Sequence, residues 1–377
     1  MLVLPGGLIS QKICEFIDGV KTIITPDSGS GRTGPDRETV ARILVGLAKN
    51  PNVAGVILHN QHPAMMSDEL KPEMLAEEIR KTGKPVELIS EEKYRDSYEL
   101  LVRGYKAARK LVHQASFIRR REVGDEHLCL GVKCGVSDAT SGMAGNPSVG
   151  RLFDRVVENG GTAMFGETTE IIGAEHALAG RAVNKEVAGR IVDAARNIEE
   201  KSKSYGLDIR TVNPIPANIK AGISTLEEKS LGAICKSGTG PIHGVLQYGE
   251  RPPGKGLYFV DNWMSLNSIF LGYTASGANV TLMQWGGAAY TDDTFLYPSL
   301  GVVAPLLWCT GNTYTYDACN DTMDYCSGTV IDGEETIEEA GDRLLELVRE
   351  IASGARAKSE MLRFQEANKM YFQEGAF

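Results

Sequence analysis

The sequence has no long apolar run, no basic leader and no excess of positive charge. It lacks any stretch of roughly 18 apolar residues, the length that a membrane-spanning helix requires. Its start also lacks the basic region and apolar core of a signal peptide, which predicts a cytoplasmic protein. Lysine and arginine number 40 against 49 aspartates and glutamates, and the net charge of −9 argues against a nucleic-acid-binding surface. We therefore expect neither a membrane nor a nucleic acid as partner.

Cysteine is present, but its spacing is typical of neither disulfides nor a zinc finger. The seven cysteines are an odd number, and no pair has zinc-ligand spacing. In a reducing cytoplasm we expect no disulfide framework, and most of these residues are predicted to be small buried hydrophobes. Cys134 differs because it lies in a loop with other reactive groups.

The length and the hydrophobic pattern predict two α/β domains. At 377 residues, with 42% hydrophobic and 24% charged residues, the chain is long enough for two full cores. Short apolar runs alternate with segments of helical spacing, as in βαβ units. The predicted strands are Leu2–Leu4, Thr22–Ile24, Val53–Leu58, Pro85–Leu88, Leu128–Val132, Thr162–Phe165, Leu257–Val260, Asn279–Met283 and Gly301–Ala304. We predict two parallel-sheet, Rossmann-like domains at 1–115 and 127–377, with the boundary in the segment 114–126.

Loops that follow parallel strands are where open α/β sheets bind ligands. After the second strand, a glycine-rich loop contains Arg32, which with backbone amides would bind a carboxylate or sulfonate; an ordinary flexible turn is an equal alternative. After the third strand come His59 and His62, whose spacing lets both face a metal ion, although a hydrogen-bonded structural role is equally compatible.

The segment Gly131–Gly150 contains the densest set of reactive side chains. A buried strand opens into a loop rich in small residues, and Asn146-Pro147 starts a helix, so backbone N–H groups become available to a ligand. The candidate side chains of this loop are Lys133, Cys134, Ser137, Asp138, Ser141 and Asn146. They would handle an anionic substrate or a metal; the alternative is a solvated connection between strand and helix.

Two later loops add acids and a lysine. Glu167 and Glu170 follow the strand at Thr162–Phe165, where carboxylates can ligate a hard cation or act as a general base. The alternative is that they are acids complementing a helix dipole. A polar irregular loop, 213–222, contains Lys220, and loops of that kind in compact domains are often functional.

These runs together resemble the altronate dehydratase/galactarate dehydratase family. The matching segments are Leu130-Gly-Val-Lys-Cys-Gly-Val-Ser-Asp138, Ser141-Gly, Asn146-Pro, Gly166-Glu-Thr-Thr-Glu170, Gly173-Ala-Glu175, Asn218-Ile-Lys-Ala-Gly222, Glu227-Glu-Lys-Ser-Leu-Gly232, Gly328-Thr-Val-Ile-Asp-Gly333 and Ala352-Ser-Gly354. The resemblance implies a lyase that removes a substituent from a small 2-hydroxy acid with the help of a divalent metal. Such a reaction needs a base and an electrophile that holds the growing negative charge.

The resemblance assigns substrate and metal handling to Lys133, Cys134, Ser137, Asp138, Glu167, Glu170 and Lys220. Their separate roles go beyond the sequence pattern. As expectations, Lys133, Asp138 and Glu170 are catalytic. Arg32, Ser137, Ser141, Asn146 and Lys220 are expected to bind substrate. Cys134, Glu167, His59 and His62 are expected to bind the metal, with Fe²⁺ first and Mn²⁺ or Mg²⁺ as alternatives.

Departures from the family pattern narrow the expected substrate. The chain lacks the small extra domain of the sugar-acid dehydratases, which implies a separately encoded small subunit and an oligomer. A large chain without the small domain, together with the segment Trp263–Tyr273, is most similar to the sulfo-lyase branch of the family, whose leaving group is sulfite. A sugar-acid dehydratase is the alternative. Because the glycine motif near the start reads Ser28-Gly-Ser-Gly31, a regulatory or scaffolding subunit without activity is a third hypothesis.

Overall fold

The computed structural model describes residues 1–23, 32–59, 67–89, 96–288, 302–362 and 370–372. In this part of the chain the strands form two sheets, and every strand pair is parallel. Helices connect and cover the strands. The predicted α/β class with two parallel sheets is therefore confirmed.

The smaller sheet is built from four strands in the order β2-β1-β3-β4. Their bounds are β1 Leu2–Leu4, β2 Lys21–Thr22, β3 Val56–His59 and β4 Val86–Ile89. Strands β1 and β3 are buried at every position, as expected for central strands with helices on both faces.

The larger sheet has seven strands in the order β11-β10-β9-β5-β6-β8-β7. Their bounds are β5 Cys129–Gly135, β6 Thr162–Phe165, β7 Ile242–Gln247, β8 Gly256–Asp261, β9 Val280–Trp285, β10 Leu306–Thr310 and β11 Tyr325–Cys326. Strand β5 lies between β9 and β6, so the loops after β5 and β6 leave the same edge of the sheet side by side. This is the edge at which parallel sheets place their ligands.

The helices of the described segments vary from one turn to more than five turns. Their bounds are α1 Gly7–Glu15, α2 Gly34–Lys49, α3 Pro72–Arg80, α4 Ser97–Ala115, α5 Asn146–Glu158, α6 Glu175–Ala179, α7 Lys185–Ser204, α8 Pro216–Lys220, α9 Leu226–Ile234, α10 Leu266–Ser276, α11 Thr313–Ala318 and α12 Ile337–Ser353. Among these described segments, no helix combines the length and the apolar character needed to cross a bilayer.

The two sheets are packed against each other through helices α2 and α10. Gly46 of α2 is required at this crossing, because a Cβ atom there would lie 2.4 Å from the carbonyl oxygen of Ala275. The Asn50 side chain donates hydrogen bonds to the carbonyl oxygens of Thr274 and Ala278, at 2.9 and 2.8 Å. The core of the smaller sheet thus includes Leu271 and Ala275 of α10. The proposed division at 1–115 and 127–377 stays a prediction.

The strand predicted at Gly301–Ala304 is displaced along the chain. The described residues 302–305 precede the strand, and β10 begins at Leu306. Pro305 has no N–H group to donate to a sheet, so it is tolerated before the first strand residue and not within a central strand. Every residue of β10 is buried.

Candidate active site

The end of β5 carries a strained backbone. The strand continues through Lys133 and Cys134 to Gly135, and Val136 then adopts a φ of 47°, which is costly for a β-branched residue. Gly286 at the end of β9 packs against this turn, since a Cβ atom there would lie 2.3 Å from the Val136 carbonyl oxygen. Neighbouring strands therefore hold the turn in this conformation.

The end of β6 has a second unusual backbone angle, at Glu167. Its φ of 72° places it in the left-handed region immediately before the short helical turn Thr168–Glu170. The Glu167 N–H donates to the side-chain oxygen of Asn262 at 2.9 Å, so the residue after β8 fixes this turn. The turn directs both glutamates toward the end of β5.

These turns build a buried cluster of charged groups. Its members are Lys133, Cys134, Glu167, Glu170, Lys229 and Lys236, none more than 5% exposed. Lys133 Nζ lies 2.8 Å from Glu167 Oε1, and the Cys134 N–H donates to Glu167 Oε2 at 3.0 Å. The Cys134 thiol donates to Glu170 Oε2 at 3.0 Å.

Lys229 and Lys236 join the cluster from α9 and from the short turn that follows it. Lys229 Nζ lies 3.3 Å from Glu170 Oε1 and donates to Asn213 Oδ1 at 2.9 Å. Lys236 Nζ bonds Glu167 Oε2, and it lies 3.1 Å from Cys134 Sγ and 3.5 Å from Glu170 Oε2. The sequence predicts no role for these two lysines, because lysines near a helix usually face solvent.

The electrostatics of the cluster favour the ionised forms of Glu170 and Lys236. Burial alone would raise the pKa of Glu170, but Lys229, Lys236 and Lys133 outweigh it and lower the pKa to about 2. Burial opposes the charge of Lys236, yet Cys134, Glu167 and Glu170 raise its pKa well above the ordinary value. Burial and then Glu170 raise the pKa of the Cys134 thiol. With a neutral thiol, three ammonium groups face two carboxylates, so the cluster is net positive.

Asp138 lies further along the same loop, with its own set of partners. Its carboxylate accepts hydrogen bonds from Thr140 Oγ1 at 2.7 Å, from the Ser141 N–H at 3.1 Å and from Asn312 Nδ2 at 3.1 Å. Thr140 and Asn312 also line a cavity of about 430 Å³, a volume suited to a small ligand. Asp138 is therefore hydrogen-bonded to two residues that line this cavity.

Ser137 and Asn146, two other predicted substrate-binding residues, each have one buried polar side-chain atom that makes no hydrogen bond to a described residue. These atoms are Ser137 Oγ and Asn146 Oδ1. The Ser137 carbonyl accepts a bond from Asn218 Nδ2 at 2.8 Å, and Asn146 Nδ2 donates to the Gly232 carbonyl at 2.9 Å. Buried groups of this kind are usually satisfied, so these two atoms are candidates for ligand contact.

Arg32, Lys220 and His59 are the other candidate residues that the structure describes. The Arg32 guanidinium stacks over the Phe372 ring at 3.4 Å, and Lys220 is exposed at the end of α8. His59 Nε2, at the end of β3, lies 2.6 Å from the Ser10 hydroxyl of α1. His59 belongs to no group of three potential metal ligands in the described part of the chain. His62 lies outside the described residues.

Cys134, Glu167 and Glu170 form a candidate metal-binding group, since their ligand atoms lie within 4.8 Å of one another. A thiolate with two carboxylates is a plausible donor set for a divalent transition metal. However, the ammonium group of Lys236 contacts a ligand atom of each of these three residues. In the observed arrangement the group therefore does not fit an additional divalent ion.

A parallel α/β fold with reactive groups at the carboxyl edge of its sheet is typical of proteins that bind a ligand there, and comparisons with known proteins define the class as a lyase. Family models for the D-galactarate/altronate dehydratase C-terminal region and for the D-galactarate dehydratase/altronate hydrolase second domain match residues 125–375 and 8–116. The chain belongs to this galactarate/altronate dehydratase family.

The match with this chain covers different shares of three relatives. The (2R)-sulfolactate sulfo-lyase subunit beta of Chromohalobacter salexigens is 32% identical over 97% of this chain and 92% of that protein. The galactarate dehydratase (L-threo-forming) of Escherichia coli is 31% identical over 84% of this chain but 59% of that protein. The altronate dehydratase of Bacillus subtilis is 30% identical over 90% of this chain and 65% of that protein.

Proposed function

We propose that this chain is the large catalytic subunit of a lyase that converts (2R)-sulfolactate to pyruvate and sulfite, together with a separate small subunit. The observation that carries the proposal is the match to a sulfo-lyase subunit beta over nearly the whole of both chains. The two dehydratases extend well beyond the matched region, by comparison. We also propose that the active assembly is an oligomer of both subunits.

The proposed reaction is a β-elimination. A base removes the proton from C2, the electron pair of that bond forms the C2–C3 double bond, and the C3–S bond breaks. Sulfite leaves with the electron pair of the C3–S bond. The resulting enol of pyruvate takes up a proton at C3 and loses the proton of its C2 hydroxyl group, which gives the ketone. Because the C2 proton is only weakly acidic, the site must supply both a base and positive charge near the substrate carboxylate.

The residues of the candidate site match these two needs. Asp138 is the proposed base, since its carboxylate is held by hydrogen bonds beside a cavity. The net positive cluster is the proposed source of charge stabilisation, with Lys133 and Lys236 as its cations. Glu170 is a poor base with a pKa of about 2, so its proposed role is to hold Lys229 and Lys236 in place.

The family resemblance also implies a divalent cation, with Fe²⁺ before Mn²⁺ and Mg²⁺. The group Cys134, Glu167 and Glu170 does not fit such an ion while Lys236 contacts all three residues. The proposed reaction therefore uses no metal at this group. The ammonium groups of the chain supply the positive charge instead.

A sugar-acid dehydratase is the second candidate, and the cavity beside Asp138 favours it. The described residues that line the cavity include Thr313, Asp317 and Asp332 together with Asn312, and none of them is a lysine or arginine. Hydroxyl, amide and carboxylate groups bind the hydroxyl groups of a polyol, whereas a sulfonate prefers cationic partners. Water would then replace sulfite as the leaving group.

Product analysis separates the two candidates. The chain, purified with its small subunit, is incubated with (2R)-sulfolactate, with (2S)-sulfolactate as the matched control, and with galactarate or altronate. We expect stoichiometric sulfite and pyruvate from the 2R isomer only. A 2-keto-3-deoxy acid from a sugar acid would favour the second candidate. No product from any substrate would reject both and favour a regulatory subunit.

A further inference from the structure

Lys236 contacts every member of the candidate metal group. Its Nζ atom bonds Glu167 Oε2 and lies 3.1 Å from Cys134 Sγ and 3.5 Å from Glu170 Oε2. An ammonium group has three N–H donors, and here it meets three acceptors from three residues. A metal ion that contacted the same three atoms would need the position of this nitrogen, because metal–ligand bonds of about 2.0–2.3 Å leave no room beside it.

The position of Lys236 is built into the fold and is not that of a surface lysine that turned inward. It is 1% exposed, and its turn packs against α5, where a Cβ atom on Gly150 would lie 2.2 Å from the Cys235 carbonyl oxygen. Arg181 donates from Nη1 to Ser237 Oγ at 2.9 Å and from Nη2 to the Ser237 carbonyl at 3.1 Å. The backbone on both sides of Lys236 is therefore held.

Charge balance also opposes an additional divalent ion. Lys133, Lys229 and Lys236 already exceed Glu167 and Glu170 by one positive charge when the thiol is neutral. Two more positive charges in this fully buried position would meet strong repulsion, and loss of the Cys134 thiol proton to such an ion would supply only one new negative charge. If Lys236 is removed, the two carboxylates retain only Lys133 and Lys229, and the central position becomes vacant.

We infer that the Lys236 ammonium is the resident cation of the group formed by Cys134, Glu167 and Glu170, and that a divalent ion enters this group only when Lys236 is removed. This departs from the metal site that the family resemblance implies for these residues. The inference is independent of the substrate, since it concerns only which cation the group holds.

Cobalt binding tests the inference by a spectroscopic signature. Co²⁺ bound by a thiolate gives a charge-transfer absorption band in the near ultraviolet. We expect no such band when the metal-free wild-type protein is titrated with Co²⁺. Lys236→Ala should show the band at one equivalent, with an affinity for Co²⁺ at least about a hundredfold above that of the wild type. The double variant Lys236→Ala, Cys134→Ser should lose the band.

Lys229→Ala is the matched control. It removes one ammonium group from the same cluster, but Lys229 contacts Glu170 and Asn213 and leaves the central position filled by Lys236. We therefore expect no band for this variant.

Two results would overturn the inference. One is a wild-type band that Cys134→Ser removes, and the other is a folded Lys236→Ala protein, checked by circular dichroism, that shows no band. If Lys236→Ala does not fold, Lys236→Met retains most of the side-chain volume without the charge. The wild-type titration needs no variant of Lys236 and tests the inference by itself: a Cys134-dependent band contradicts it, and the absence of that band supports it.

Discussion

Replacing Glu170 by glutamine removes one of the two negative charges from the buried cluster. The three ammonium groups of Lys133, Lys229 and Lys236 would then face Glu167 alone. The cluster lowers the pKa of Glu170 from 4.5 to about 2, which corresponds to about 3 kcal/mol of stability at neutral pH. Removal of one partner from a buried ion pair costs about 3–5 kcal/mol. The pKa shift and the broken ion pair therefore both predict a large decrease in the free energy of unfolding.

The pH dependence of this loss has a definite sign. A carboxyl group whose pKa is lowered by folding stabilises the protein above its ordinary pKa of 4.5, and the contribution is lost as the pH falls toward about 2. The difference in free energy of unfolding between the wild type and Glu170→Gln should therefore be constant from pH about 7 to about 5 and decrease below that range.

Urea unfolding followed by tryptophan fluorescence provides the measurement. Trp285 and Trp308 are buried in β9 and β10 with ring centroids 5.3 Å apart, so their emission reports on the larger sheet. Glu78→Gln is the matched control, because Glu78 is an exposed glutamate paired with Lys81, and we expect no resolved change there. A Glu170→Gln protein within about 0.5 kcal/mol of the wild type at neutral pH would refute the electrostatic account of the cluster.

Asp138→Asn should lower turnover at least about a hundredfold, because the amide keeps the shape but cannot accept a proton. It should also lower the melting temperature, because one carboxylate oxygen that accepts hydrogen bonds becomes an N–H donor. In the folded protein, Cys134 should resist labelling by iodoacetamide even at a pH equal to the ordinary thiol pKa of 9.0, because its thiol is buried and its pKa is raised. Mass spectrometry should detect labelled Cys134 only after denaturation. Gly46→Ala should cost about 1–3 kcal/mol in urea unfolding, because the new Cβ atom would lie 2.4 Å from the Ala275 carbonyl oxygen. Gly189→Ala, in an open part of α7, should instead stabilise by up to about 1 kcal/mol.

Each of these predictions has a result that contradicts it. Asp193→Asn, an exposed aspartate paired with Arg196, is the control for Asp138, and equal turnover of both variants would place the base elsewhere. Labelling of Cys134 in the native state would show that the cluster opens to solvent. Equal stability of the two glycine variants would mean that the crossing of α2 and α10 is not tightly packed.

The sequence predicted the elements of the site more fully than their arrangement. The strand at Thr162–Phe165 has the bounds that were expected, because a short buried strand is an uninterrupted apolar run. Strand β5 was expected to end at Val132 but continues to Gly135. A prediction based on hydrophobicity ends a buried strand where a lysine occurs. Lys133 can stay in a buried strand only because Glu167 neutralises its charge.

The third strand of the smaller sheet shows a comparable limit. His59 ends a buried run, and the sequence left a metal ligand and a hydrogen-bonded residue as equal alternatives. The structure places the Ser10 hydroxyl 2.6 Å from its Nε2 atom. Ser10 lies on α1, and no local pattern indicates which helix residue will face a given strand residue. Contacts of this kind depend on how helices pack across the sheet.

The sequence alone determined the parallel α/β class, the strand-to-helix loop after β5 and the presence of reactive side chains in that loop, because each depends on residues close together in the chain. Only the tertiary structure decided which charges meet. Cys134 and Lys236 are 102 positions apart, and Glu167 and Lys236 are 69 positions apart. They come together because β5 and β6 are neighbours in the sheet and α9 ends beside them. A buried charge is stable only beside its partner, so the lysines that look solvated in the sequence become the cations of the site.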